Sequence, residues 1–311
     1  VKTVLFFRRL RGLTGGHLKV WDFFRHTLAS GDHTARIVFS ADSVWTHENP
    51  WRNAREHVIA SASSVRPDLY FFGAFDWEHL PPEERARSRI PVLNLIAHVR
   101  HGDPKDPRFP LLANHAIRIC VSPEVATSIN AHTKPNGPVV VIPNAVDVAE
   151  APDVAARDVD LVVVALKQPE LGAELAKRMT KRGRRVELLD KRLPRVEFLR
   201  WLARSRTALC LPHETEGFYL PAIEAMALGT LVVCPDAVGN REFCEGDSNC
   251  LFPAFAKDAI LAAAEEALAL PGEKRDALVA AGRATAARHG LEGERRAFVE
   301  LLREAPRLWS A

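Results

Sequence analysis

The feature that most constrains this chain is an alternation that runs, stops and then restarts. Short apolar or β-branched runs alternate with longer stretches of helical spacing, twice over, along 311 residues. In the first pass the strand-like runs are Thr3–Phe7, Ile37–Ser40, Leu69–Phe72, Val92–Ile96, Ile117–Val121 and Val139–Ile142. Helical spacing appears at His17–Ser30 and Trp51–Ser64. The pattern breaks at Ile142-Pro143-Asn144-Ala145-Val146-Asp147 and the weakly periodic, acidic stretch Ala149–Asp158, which reads as a linker. It resumes with strands at Val159–Ala165, Val186–Leu189, Thr207–Leu211 and Leu231–Cys234. The second-half helices are Leu171–Arg182, Val196–Arg204, Leu220–Leu228, Lys257–Leu270 and Glu273–His289, and the terminal Glu292–Arg303 has no strand after it. Near-continuous apolar strands such as Val159–Ala165 are those of a parallel sheet covered on both faces. Two doubly wound, Rossmann-like α/β halves facing a central cleft are therefore expected. Ligands of such sheets bind at the carboxyl ends of the strands, so function is sought in the loops that follow them.

Composition narrows the class of function. Lys and Arg number 42 against 39 Asp and Glu, a formal charge of +3, too balanced for a nucleic-acid partner. The five cysteines form no Cys-x-x-Cys pair. That argues against a disulfide framework and for a reducing, cytoplasmic setting. No apolar run is long enough to span a membrane and no signal peptide is expected. Peripheral contact at the inner membrane face is left open.

The most informative segment is His213-Glu214-Thr215-Glu216-Gly217-Phe218-Tyr219-Leu220-Pro221-Ala222-Ile223-Glu224-Ala225-Met226-Ala227-Leu228-Gly229-Thr230. It follows a strand and opens a helix. Gly217 permits a tight turn, and the amides of Phe218, Tyr219 and Leu220 lie at the positive end of that helix, a natural phosphate seat. Pro221 suits the first turn, where no intrahelical N–H bond is required. Glu224 lies about one turn on, displaced by roughly 7 Å. Two carboxylates flanking a phosphate seat make sense if each accepts hydrogen bonds from hydroxyls, a sugar on one side and a ribose on the other. Taken alone, two Glu residues eight apart read as ordinary helix-start acids.

With its flanks, this segment resembles the retaining GT-B glycosyltransferases of the family 4 type, the group 1 glycosyl transferases. The resemblance extends to Val232-Val233, to Val238-Gly239-Asn240-Arg241-Glu242 and to the linker Ile142–Asp147. It implies a GT-B fold: residues 1–147 on the acceptor side, 148–290 binding the nucleotide sugar, and a helix at 291–311 crossing back to the first domain. It also implies a UDP- or GDP-linked donor as substrate, with no further cofactor and no metal. Glu216 would contact the donor sugar and Glu224 the ribose. The acceptor would be a carbohydrate, a lipid-linked sugar or a small molecule. Tyr219 stands where the family usually has Gly.

The remaining candidates are weaker signals. Gly15 and Gly16, in Thr14-Gly15-Gly16-His17, sit between the first strand and helix, where glycine lets a phosphate approach backbone amides. The spacing of Gly12, Gly15 and Gly16 is not that of a dinucleotide fingerprint. Lys167 follows the first strand of the second half and could stabilise a leaving diphosphate. The Arg that the family places beside it is missing, and Arg8, Arg9 or Arg11 is the substitute considered. His98 follows a first-half strand in a region where the family often has a His near the reacting carbon; His101 and His213 are lesser candidates. Trp45–Trp51 reads first as buried ring packing and second as an acceptor contact. Two other functions fit the same residues: a non-catalytic nucleotide-sugar-binding scaffold, and a glycosidase using Glu216 and Glu224 as acid and base. The loop-then-helix placement beside a phosphate seat disfavours the glycosidase.

Overall fold

The computed structural model describes residues 1–310; Ala311, the last residue of the expected terminal segment, and the side chains of residues 86 and 87 lie outside the described set. Two compact units form. One runs to Asn144 and takes back the chain from Leu291; the other is Ala145–Gly290.

The first unit is built on six parallel strands: β1 (Lys2–Arg8), β2 (His33–Phe39), β3 (Leu69–Gly73), β4 (Val92–Ile96), β5 (Ile117–Cys120) and β6 (Val139–Val141), in the order β2-β1-β3-β4-β5-β6. In β1, Val4, Leu5, Phe6 and Phe7 are all buried, because both faces of a parallel sheet are covered. The register is set by pairs such as Val4↔Ala35 and Leu5↔Tyr70. Helix α1 (Gly15–Leu28) follows β1, the short α2 (Pro82–Arg87) precedes β4, and α3 (Pro123–Asn130) joins β5 to β6. Ser122 caps α3 through the Val125 N–H and Pro123 opens it, a start signal in a segment that periodicity left unassigned.

One expected helix does not form. Trp51–Ser64 is three short 3-10 turns, Pro50–Asn53, Arg55–His57 and Ala62–Ser64. Asn49 and Ser61 cap the first and third through the N–H groups of Trp51 and Ser63. Between the turns the backbone extends along β2: Val58 bridges Ile37, and the Ile59 N–H donates to the Ile37 carbonyl at 2.9 Å. Satisfying that sheet edge wins over helical spacing.

The second unit carries β7 (Val159–Val164), β8 (Val186–Leu189), β9 (Ser205–Cys210) and β10 (Leu231–Val233), all parallel, in the order β10-β9-β7-β8. Helices α4 (Pro169–Lys181), α5 (Arg195–Arg204) and α6 (Leu220–Ala227) alternate with these strands, and α7 (Lys257–Ala269) and α8 (Gly272–Arg288) complete the unit. Its core joins Leu161, Val163, Leu209 and Val233 of the sheet to Leu175, Met179, Ile260 and Leu278 of the helices.

The last helix, α9 (Leu291–Trp309), is longer than expected and belongs to the first unit. Glu294, Phe298, Leu301, Leu302 and Ala305 form its buried stripe. Phe298 packs on Phe23 with centroids 4.6 Å apart, and Trp309 stacks on His115 at 4.0 Å. The contact with α1 is partly ionic: Lys19 Nζ lies 2.8 Å from Asp22 and 2.7 Å from Glu294, whose second oxygen is 2.9 Å from His26 Nε2. Among the described residues, no helix is long and apolar enough to cross a membrane.

Candidate functional site

Two βα loops of the second unit bring together residues far apart in sequence. After β7 the chain runs Ala165-Leu166-Lys167-Gln168 into α4. Gly172, on the first turn of α4, lies so close to this loop that a Cβ there would meet the Ala165 Cβ at 2.1 Å. Helix and loop are thus pressed together only because residue 172 lacks a side chain. After β9 the loop 211–219 leads into α6. The Lys167 ammonium stands 3.6 Å from Glu216 Oε1. Lys167 is 40% exposed and Glu216 10% at the side chain, so a buried carboxylate meets a cation that still reaches solvent.

The Glu216 loop is held from behind. Glu216 N–H donates to the His213 carbonyl, and Val238 N–H donates to the Glu214 carbonyl at 3.0 Å. Gly239 sits against it so tightly that a Cβ would come within 2.7 Å of backbone atoms of Glu216, Gly217 and Phe218. The steric demand therefore falls on Gly239 as well as on the loop's own glycine. Helix α6 then starts at Leu220 with Pro221 in its first turn and ends at Gly229, whose φ of 71° stops the helix. The first-turn amides have no intrahelical acceptor, and Phe218, Tyr219 and Leu220 stand at that end. Phe218 packs on Phe243 with centroids 5.0 Å apart. Tyr219 is taken into the interior; burial, with Cys210 and Cys234 nearby, pushes its phenol well above the ordinary range. The bulk that Tyr219 adds relative to Gly is thus absorbed by the core.

Glu224 is only 2% exposed. Its Oε1 is 2.6 Å from Arg195 Nη1, while Arg195 Nη2 donates to the Asp147 carbonyl at 2.7 Å. Sequence reasoning missed Arg195. The available signal was an arginine in the first turn of a helix, where it opposes the helix dipole and so needs a specific carboxylate.

In the first unit the other candidates stand at the carboxyl edge of the sheet. Thr14 caps α1: its Oγ1 accepts from the His17 N–H and lies 2.7 Å from His17 Nδ1. A Cβ on Gly16 would meet Thr14 Oγ1 at 3.9 Å, an ordinary contact, so packing within the unit does not require this glycine. Gly15 is the first residue of α1. His98 follows β4, and its Nδ1 accepts the Arg100 N–H at 3.1 Å, capping a 3-10 turn over Val99–Gly102. In the neutral ring that places the proton on Nε2. His101 is buried, and burial pulls it down to about 3, with Arg108 adding to the effect; it is neutral at ordinary pH. His213 is exposed. Each of the three arginines weighed as a companion to Lys167 has a carboxylate in its own unit. Arg8 pairs with Asp76 at 3.1 Å, and Arg9 and Arg11 share Asp42. Trp51 is fully buried against Trp21, Phe24 and Phe39, whereas Trp45 stacks on Phe39 with the Arg55 guanidinium over its ring. Among the described residues no three His, Cys, Asp or Glu side chains are grouped to hold a metal ion.

Two parallel-sheet α/β units in one chain, one of six strands and one of four, match the GT-B architecture. Residues 144–269 match the family model described as glycosyl transferases group 1, which bears out the resemblance over the stretch that holds Lys167, Glu216 and Glu224. Solved structures share the fold across nearly the whole chain. A sucrose-phosphate synthase from Thermosynechococcus elongatus superposes with a TM-score of 0.73 at 13% identity, covering 98% of this chain and 99% of that one. HepE from Anabaena, solved with UDP-glucose, gives 0.71 at 14% identity over 97% and 99%. A putative UDP-N-acetylglucosamine 2-epimerase from Listeria monocytogenes gives 0.62 at 13% identity over 98% and 96%. At such identities the likeness is one of fold. No curated protein sequence matches the chain.

Proposed function

We propose that this protein is a retaining, metal-independent glycosyltransferase that moves a sugar from a nucleotide-sugar donor to a hydroxyl acceptor. The observation that carries the reading is the meeting of Lys167 and Glu216 at 3.6 Å beside the start of α6. A cation, helix-start amides and a carboxylate in one place suit a diphosphate next to a polyol. The match of residues 144–269 to group 1 glycosyl transferases supports it.

In this reading the amides at Phe218, Tyr219 and Leu220 seat the diphosphate. Lys167 stabilises the charge that grows on the leaving phosphate oxygen. Glu216 accepts hydrogen bonds from the donor sugar, and Glu224 from the ribose. The acceptor hydroxyl attacks the anomeric carbon on the face that the diphosphate leaves. The bond to the phosphate oxygen breaks as the new C–O bond forms, and that oxygen takes the hydroxyl proton. Glu216 positions the sugar and forms no covalent bond to it.

HepE was solved with UDP-glucose, which makes UDP-glucose the first donor to try, with GDP-linked sugars beside it. The test follows transfer by NMR, with each donor offered to glycosides, lipid-linked sugars and small hydroxyl acceptors. An α-linked donor should give an α-linked product, at an unchanged rate in EDTA. A β-linked product would refute retention, and loss of rate in EDTA would refute metal independence. Nucleotide-sugar binding without transfer to any acceptor class would favour the scaffold reading.

A further inference from the structure

We infer that Arg195 is a positioning residue for ribose recognition; this deepens the donor reading above and rests on it. Glu224 is nearly inaccessible, yet its carboxylate is held at 2.6 Å by one guanidinium nitrogen, and the other nitrogen is anchored 2.7 Å from the Asp147 carbonyl. A buried carboxylate needs such a partner, since burying a charge alone is costly. The geometry does more than neutralise. Arg195 opens α5 and Glu224 lies in the middle of α6, so the two-pronged grip fixes the carboxylate between two helices and the start of the unit. A lysine would supply the charge, but its single nitrogen cannot stand where two separate guanidinium nitrogens stand, so it would not reproduce both bonds at their present positions.

An ionised carboxylate offers about four lone-pair sites, so commitment of one oxygen to Arg195 is compatible with accepting from a vicinal diol. The ribose of a nucleoside diphosphate carries that diol; its 2′-deoxy counterpart does not. A site built to hydrogen-bond a hydroxyl discriminates against the analogue lacking it, because the polar group is left unsatisfied. Arg195 therefore sets how sharply the site tells ribose from deoxyribose, through Glu224 and without touching the sugar.

Titration calorimetry with UDP, GDP and their 2′-deoxy forms tests this on the wild type, Arg195→Met and Arg195→Lys. The wild type should prefer the ribonucleotide by about tenfold or more. Arg195→Met should reduce the preference to within about twofold, with affinity for the deoxy form unchanged. Arg195→Lys should lose at least about threefold of the preference, and it decides the matter if the methionine variant fails to fold. Loss of both affinities in parallel, or a wild-type preference kept in either variant, overturns the inference while leaving nucleotide binding intact. Failure of the wild type to bind either diphosphate overturns the donor reading itself, and the inference with it.

Discussion

Lys167 Nζ lies 3.6 Å from Glu216 Oε1, across two loops that follow neighbouring strands β7 and β9. Glu216 is buried while Lys167 reaches solvent, and at 3.6 Å the pair is longer than a charge-assisted hydrogen bond, so it stabilises the fold less than a fully buried pair would. Its worth must be sought in chemistry rather than in folding.

Lys167→Ala should therefore separate the two quantities. Turnover should fall by about 100-fold or more, the scale of a lost transition-state donor, while unfolding free energy changes by less than the ~3–5 kcal/mol of a broken buried pair. Steady-state kinetics beside urea unfolding checks this. Turnover within about threefold of the wild type would remove Lys167 from the mechanism.

Gly239→Ala should disturb the Glu216–Phe218 loop, the proposed phosphate seat, from behind. Its Cβ would come within 2.7 Å of the Glu216–Phe218 backbone, and overpacking of this kind costs about 1–3 kcal/mol. Gly246→Ala, whose Cβ would only touch Phe252 at 3.4 Å, serves as the comparison. Nucleotide affinity should drop in the first and hold in the second. Equal behaviour of the two would refute the packing account of the loop.

The α1–α9 contact should depend on Glu294, which meets both Lys19 and His26 in the interior. Glu294→Ala leaves Lys19 buried with Asp22 as its remaining carboxylate. Breaking a buried pair costs about 3–5 kcal/mol, measurable as a lower urea midpoint. A loss below ~1 kcal/mol, the surface-pair range, would mean that the apolar stripe around Phe298 alone holds α9.

Two buried groups give opposite pH dependences. Burial raises Asp76 from 3.8 to about 6, against the pull of Arg8 and the Gly73 N–H. The native state then holds more protons than the unfolded chain between those values, so the stability linked to this group is present in acid and is lost as pH rises through 6. Burial lowers His101 from 6.5 to about 3. There the unfolded chain holds more protons, and stability is lost as pH falls through that window. The slopes oppose each other between about pH 4 and 6, each limited to about 1.4 kcal/mol per unit. Asp76→Asn should make stability rise more steeply with pH there, and His101→Gln should flatten or reverse the rise. Urea unfolding at half-unit pH intervals checks both, and slopes unchanged by either variant would contradict the assignment.

The sequence by itself determined the strands, because a covered parallel sheet writes itself as apolar runs such as Val4–Phe7 and Leu161–Ala165. It also determined both ends of α6, since Gly217 and Pro221 at its start and Gly229 at its end act through the local backbone. Tertiary structure alone decided what depends on contacts between distant segments. Trp51–Ser64 gives up its helix because β2 offers an edge to Val58 and Ile59. Gly172 and Gly239 are demanded by Ala165 and by the Glu216 loop, neither adjacent in sequence. The Arg195–Glu224 pair exists because α5 and α6 lie side by side. Local patterns report which face of an element is buried; they carry no record of which neighbour buries it, and ionic partners are chosen by that neighbour.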